Sequence, residues 1–233
     1  MAGKVQAEES ITRVAFWPLW AVGRLLGTLF FLSFFAVVIF VAATAMRYEA
    51  RLDGVSQPVT PAYLQEIHQR AIQHTANAAL AQKLSDAGYT LYIRWTGIHG
   101  TVRNPDANDS WAVWGRIFRS HPDEIAAAMI AARLFGVRLA NVALLFPLIF
   151  FVIVLASVDG MAERMIRRAC AGHESATVFR LARRFAYKLL PPAIGLIYLC
   201  LPYDMSPGDV LMPGLAVTAL LVRTKWKYYK KHV

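Results

Sequence analysis

Charge is scarce in this chain. Only 17% of its 233 residues are Asp, Glu, Lys or Arg, where soluble domains carry about 25%. With 57% hydrophobic residues, so few charges could not cover a water-facing surface, and the excess must meet something other than water. Disorder and collagen-like fibres need other compositions and are excluded. Cysteine is nearly absent as well. Cys170 and Cys200 cannot build a disulfide framework, and both are expected as free thiols. A Gly-rich phosphate loop is lacking: Gly97-Ile98-His99-Gly100 matches neither nucleotide fingerprint, which removes NTPases and dinucleotide enzymes.

Metal-ligand spacing is missing too. His68 and His74 sit about 240° apart on a helix and cannot share an ion as neighbours. Cys170 and His173, with Glu174 beside them, have no second ligand pair, whereas a structural zinc wants four ligands. Tyr203-Asp204 and Gly208-Asp209 resemble the YD and GxGD of intramembrane aspartyl proteases. Five residues apart on one Pro/Gly turn, they read as solvated turn carboxylates. No catalytic set, metal or cofactor is expected, and the chain is expected not to be an enzyme.

What is present is long uncharged runs. Residues 25–46 and 139–158 are free of charge over 22 and 20 residues, within the ~17–25 that a spanning helix needs. Phe16, Trp17 and Trp20 precede the first run as an interfacial aromatic belt. Ala43-Thr44-Ala45 has the form of a signal-peptidase site, but the run exceeds the ~7–15 residues of a signal core. Residues 189–222 are apolar apart from Asp204 and Asp209 and carry five prolines. With Lys188, Arg223 and Lys225 reaching to the interface, this region reads as a helical hairpin turning at residues 203–209. A re-entrant hairpin is the rival, and in both cases the chain returns to the side it left.

Charge then sets the orientation. Residues 1–24 carry three basic and two acidic side chains, 47–138 ten and eight, 159–188 seven and three, and the tail from Arg223 five and none. Short basic loops stay in the cytoplasm, so 159–188 and 223–233 are assigned there. The expected fold class is an all-α polytopic membrane protein with about four transmembrane helices and a mainly helical exported segment between the first two. Its parts are a cytoplasmic segment 1–24, transmembrane helix 25–46, periplasmic segment 47–138, transmembrane helix 139–158, basic cytoplasmic loop 159–188, hairpin 189–222 and basic cytoplasmic tail 223–233. The whole net charge of +10 falls on the cytoplasmic parts, so it marks topology before it marks any partner.

Inside the exported segment a turn is expected from Gly54 to Pro58. Thr60-Pro61 then reads as an N-cap with proline at the first helical position. Helix is expected to Asp86, with Gly88 as its C-terminal stop. Residues 89–95 lean helical, and 104–110 are loop. Ser120-His121-Pro122-Asp123 has capping-box spacing and opens an Ala-rich helix that can run unbroken into the second span, where Pro147 would kink it. Trp95, Trp111 and Trp114 read as core or interface anchors.

Basic segments are the strongest remaining physical signal. Asp159 closes the second span as a solvated carboxylate. Glu163 and Arg167 have favourable i,i+4 order, which extends the helix past the bilayer. Arg164, Arg167 and Arg168 follow, and Arg180, Arg183, Arg184 and Lys188 lie on a stretch whose Val178, Phe179, Ala182, Phe185 and Ala186 form an apolar face. Such a basic amphipathic helix suits an interface with anionic inner-leaflet phospholipid. The tail interleaves Lys225, Lys227, Lys230 and Lys231 with Trp226 and two tyrosines. It is read as lipid-facing, and direct DNA contact is not expected.

Ser157-Val158-Asp159-Gly160-Met161-Ala162-Glu163-Arg164, then Arg167-Arg168, then Ala171-Gly172-His173-Glu174-Ser175 and a basic stretch resemble the signature of a bacterial family. These are the inner-membrane proteins of integrating conjugative elements and conjugative plasmids, a family of unassigned biochemical function. Members read V-D-G-x-x-x-R-x-x-R-R, then G-G-R-E-S. This chain has His173 where Arg is usual and Cys170-Ala171 where glycines often stand. The resemblance implies a component of a conjugative DNA-transfer system related to type IV secretion, with the coupling ATPase and other channel subunits as partners. The contact surface it implies is Asp159, Gly160, Glu163, Arg164, Arg167, Arg168, Gly172, Glu174, Ser175, Arg180, Arg183, Arg184 and Lys188. Self-association is compatible with it. A small-solute transporter or channel is the alternative.

Overall fold

A computed structural model describes residues 2–52, 54–94, 120–170 and 176–229. The chain is mostly helical, built on two long helices, α1 (Ala2–Ala45) and α4 (Pro122–Ala169). These contain the two segments long and apolar enough to cross a membrane by length and composition. α4 is unbroken over 48 residues. The Ala-rich stretch, the second uncharged run and the first part of the signature thus form one rod of about 72 Å, with Pro147 inside it.

Between the rods lie β1 (Glu49–Leu52), β2 (Val55–Pro58), α2 (Pro61–Gln73) and α3 (Ala78–Tyr89), which passes into a π turn at Thr90–Arg94. The turn expected from Gly54 to Pro58 is an antiparallel hairpin, Glu49 opposite Pro58 and Leu52 opposite Val55. Gly54 at φ +81° supplies the reversal. Thr60 caps α2 as expected, its hydroxyl accepting from Tyr63 N at 3.3 Å with Pro61 next in line. The single helix expected to Asp86 is two, because α2 ends at His74 and Asn77 caps α3 by accepting from Leu80 N at 3.0 Å.

Gly88 does not stop α3. A Cβ there would lie 2.6 Å from Ala132 O of α4, and one on Gly136 would meet Leu84 O and lie 2.7 Å from Ser85 N of α3. The two glycines let these backbones touch. Backbone cannot yield as a side chain does, so Gly136→Ala should destabilise by about 1–3 kcal/mol. Thermal unfolding of the solubilised protein measures this, and a shift within error of wild type would mean that the helices separate freely. The start expected for α4 also moves from Ser120 by one residue. His121 is the N-cap of α4 and makes no side-chain cap bond, since Pro122 starts the helix one residue later than that motif requires.

The first apolar core joins the region between the rods to both of them: Phe40 and Ala43 of α1 share it with Ala50, Leu52, Val59, Tyr63, Leu64 and Ile67, and with Ala127, Ala131 and Leu134 of α4. Leu32 and Leu139 pack on the neighbouring cluster. The region between the rods covers one side of α1 through Phe40 and Ala43; Phe31, Phe34 and Val38 stay exposed.

After α4 come α5 (Ala176–Arg184), a π turn (Phe185–Leu189), α6 (Leu190–Cys200) and α7 (Pro207–Lys227). The loop expected over 159–188 is thus helical on both sides of its middle, and the tail is helical to Lys227. α6 alone, 11 residues or about 16 Å, is too short to cross a bilayer.

Candidate functional site

Asp159 and Glu163 stand i,i+4 on α4, and Arg223 and Lys227 stand i,i+4 on α7. Each pair therefore forms a short stripe on one helix face, and the stripes meet. Arg223 Nε lies 2.5 Å from Asp159 Oδ2, and Arg223 Nη2 donates to Glu163 Oε1. Lys227 Nζ lies 2.7 Å from Glu163 Oε2. Gly160, buried between the carboxylates, lets the helices close: a Cβ there would lie 2.5 Å from Arg223 O and 2.9 Å from Trp226 Cβ. The hydrogen bond from Lys227, reinforced by the charges of Arg223 and Lys227, holds the Glu163 carboxyl below its ordinary range against a smaller desolvation.

Aromatic rings extend the clasp. Arg164 lies 4.9 Å over Tyr229 and Arg167 4.1 Å over Tyr228, so Arg167 stacks on the tail and Glu163 turns to α7 instead of pairing with it. Phe179 of α5 meets Tyr229 edge-on at 5.6 Å, and Trp226 packs on the same ring at 5.7 Å. Ala182 and Ala186 are buried. The apolar face of α5 is therefore spent on α7, while Arg180, Arg183 and Arg184 are exposed, as is Arg168. The basic helix expected to lie on lipid is docked on protein by its apolar side. Of the lysines expected to face lipid, Lys227 is held by Glu163, and Lys225 lies 4.7 Å over Trp226. Gly172, Glu174, Ser175, Lys230 and Lys231 lie outside the described residues, as do the side chain of Lys188, the loop at 104–110 and Trp95, Trp111 and Trp114.

A second polar site lies at the opposite end of the hairpin. Arg138, 1% exposed, donates to Leu201 O at 2.7 Å and Tyr203 O at 2.5 Å, and its guanidinium lies 5.8 Å from the Tyr198 ring. Asn141 donates to Tyr198 Oη at 3.0 Å. The turn they hold also meets the region between the two rods through Tyr48–Tyr203 at 2.6 Å and Arg70–Asp204 at 3.3 Å. Asp204, read from sequence as a solvated turn carboxylate, thus has a partner. Sequence reasoning took Arg138 only as the edge of a span and missed both this anchor and the clasp. The matched i,i+4 pairs of opposite charge were the available signal for the clasp; nothing local announces Arg138.

Farther out, His68 Nε2 lies 3.2 Å from Ser85 Oγ, joining α2 to α3. Burial first, then the Arg133 charge, lowers the His68 pKa from 6.5, against Asp86. The fold therefore favours neutral imidazole, and its contribution is full above pH ~6.5 and lost as pH falls through the folded value. Melting temperature should drop across that window, and His68→Gln should flatten the drop. An equal slope in the variant would assign the titration elsewhere.

Residues 60–230 match the family model described as IncC plasmid conjugative DNA transfer protein DtrJ-like. The chain belongs to the DtrJ-like family. The match takes in α2, the whole of α4, the clasp and the Arg138 anchor, so the geometry above is that of a DtrJ-like protein, and it places the chain in conjugative DNA transfer. No curated protein and no solved structure matches it.

Proposed function

We propose that this DtrJ-like protein is a non-catalytic, multi-pass subunit of the bacterial inner membrane. In this reading its termini are cytoplasmic, and it serves the transfer machinery as an assembly or adaptor subunit for the coupling ATPase. The observation that carries the reading is the clasp. By tying α7 to the end of α4, it gathers Arg168, Arg180, Arg183 and Arg184 at one end of the molecule. Apolar contacts hold α5 with its cations outward, a surface suited to an acidic protein patch or the inner leaflet. Exposed Phe146, Phe150, Leu196, Ile197, Val217 and Leu220 form an apolar belt around α4, α6 and α7, which supports a four-span arrangement with the hairpin crossing beside α4. The transporter reading has no such support, because among the described residues no ionisable side chain lines the cavity inside the hairpin.

Affinity purification of the full-length protein from cells expressing the complete transfer cluster tests the proposal. The coupling ATPase should co-purify, and deleting the gene should cut mating sharply. Undiminished mating with no transfer subunit recovered would overturn it.

A further inference from the structure

The hairpin and α4 enclose a cavity of about 450 Å³. Its walls run from Val142 to Ile153 on α4 and from Leu211 to Val222 on α7, with Ile194, Gly195 and Leu199 of α6 as the third side. Eleven residues of rise make it about 16 Å long, so its mean cross-section is roughly 28 Å², the width of a single hydrocarbon chain. The one polar side chain lining it, Thr218, donates its hydroxyl to Gly214 O at 2.8 Å. Nothing in the walls is left to hold water.

The slot is open beside Gly195, where a Cβ would meet nothing within 4 Å. The slot also opens sideways: Met212 lines it and is 44% exposed, next to exposed Leu196, Ile197 and Val217. At the clasp end the lining stops at Ala186 and Val222. Arg183 stands three residues before Ala186, one helical turn below the slot, and is exposed. Arg223, next in sequence to Val222, is already committed to Asp159 and Glu163.

We propose that this slot holds one acyl chain of an anionic phospholipid, with the headgroup phosphate against Arg183. A charged headgroup fits because an exposed cation stands at the clasp end of the lining, whereas Arg138, one turn before Val142 at the other end, is buried and bound to Leu201 O and Tyr203 O. The proposal rests on the membrane reading above and adds a specific lipid site to it.

Native mass spectrometry of the full-length protein in detergent, with equal phosphatidylglycerol and phosphatidylcholine added, tests it. Wild type should retain one phosphatidylglycerol after other lipids are stripped. Arg183→Gln should lower the preference for phosphatidylglycerol about fivefold, the effect of ~1 kcal/mol per surface cation. Gly195→Leu, filling the slot from α6, and Thr218→Phe, filling it from α7, should abolish retention, while Gly195→Ala should keep it. Thermal unfolding identifies which filled variant is folded. Retention unchanged in a folded filled variant, or no retained lipid in wild type, overturns the slot. Equal retention of both lipids overturns the headgroup assignment. Release of the protein from membranes by alkaline carbonate would sink the membrane reading itself; a protein that stays membrane-bound yet keeps no lipid sinks only this inference.

Discussion

Replacing Arg138 with methionine should detach the α6–α7 turn and destabilise the protein by roughly 3–6 kcal/mol. Methionine keeps the apolar stem, so most of the loss comes from the guanidinium. Two charge-assisted hydrogen bonds, to Leu201 O and Tyr203 O, disappear at ~1.5–3 kcal/mol each. Both carbonyls stand at the end of a hairpin leg, where no helical partner replaces the lost donor. Lysine should recover less than half, because a single ammonium cannot serve two carbonyls with the fixed fork of arginine. Thermal unfolding gives the size of the effect, and limited proteolysis at residues 201–206 gives its place. A variant within ~1 kcal/mol of wild type, with the turn still protected, would show that Tyr48, Tyr63 and Arg70 hold the turn without it.

The second large effect is expected at Gly160. Gly160→Leu places a branched side chain where a Cβ alone would lie 2.5 Å from Arg223 O, so α7 must leave α4 at this end. The cost should reach or exceed the ~1–3 kcal/mol of ordinary overpacking, since backbone is what would have to move. Separation also takes Arg223 and Lys227 from Asp159 and Glu163 and removes the rings of Tyr228 and Tyr229 from Arg167 and Arg164. Cysteines introduced at Arg167 and Tyr228, which stack across this contact, report the separation by a fall in crosslinking with a bifunctional reagent, and mating frequency should fall with it. The clasp can be probed without steric change by Glu163→Arg with Arg223→Glu. Each single change should impair transfer, and the double should restore part of it. Failure of the double to improve on either single would mean that charge complementarity does not hold these helices.

Much of this architecture was legible because the signals were local and periodic. The two uncharged runs, the Thr60-Pro61 cap and the continuity of α4 past residue 158 follow from composition and helix chemistry within a few residues. The failures were of another kind. Gly88 looks like a helix stop until α4 lies against it, and a glycine used for close approach carries the same letter as one used for a turn. Val55 to Pro58 contains little that favours a strand, and it is paired by β1 and the Gly54 reversal.

The same division holds for the site. Composition alone marked two segments long and apolar enough to cross a membrane, and the sequence by itself set which stretches carry the cations. The signature pointed to conjugative transfer, which the family match bears out. Tertiary structure alone decided what those residues do to one another. The signature carboxylates Asp159 and Glu163 are bound to Arg223 and Lys227, and the apolar face of α5 is turned onto α7. Arg138, the edge of a run in the sequence, became a buried anchor. The physical reason is range. Hydropathy and capping act over a turn or two of helix, whereas a cation's partner 60 residues away is chosen only when packing brings the two faces together.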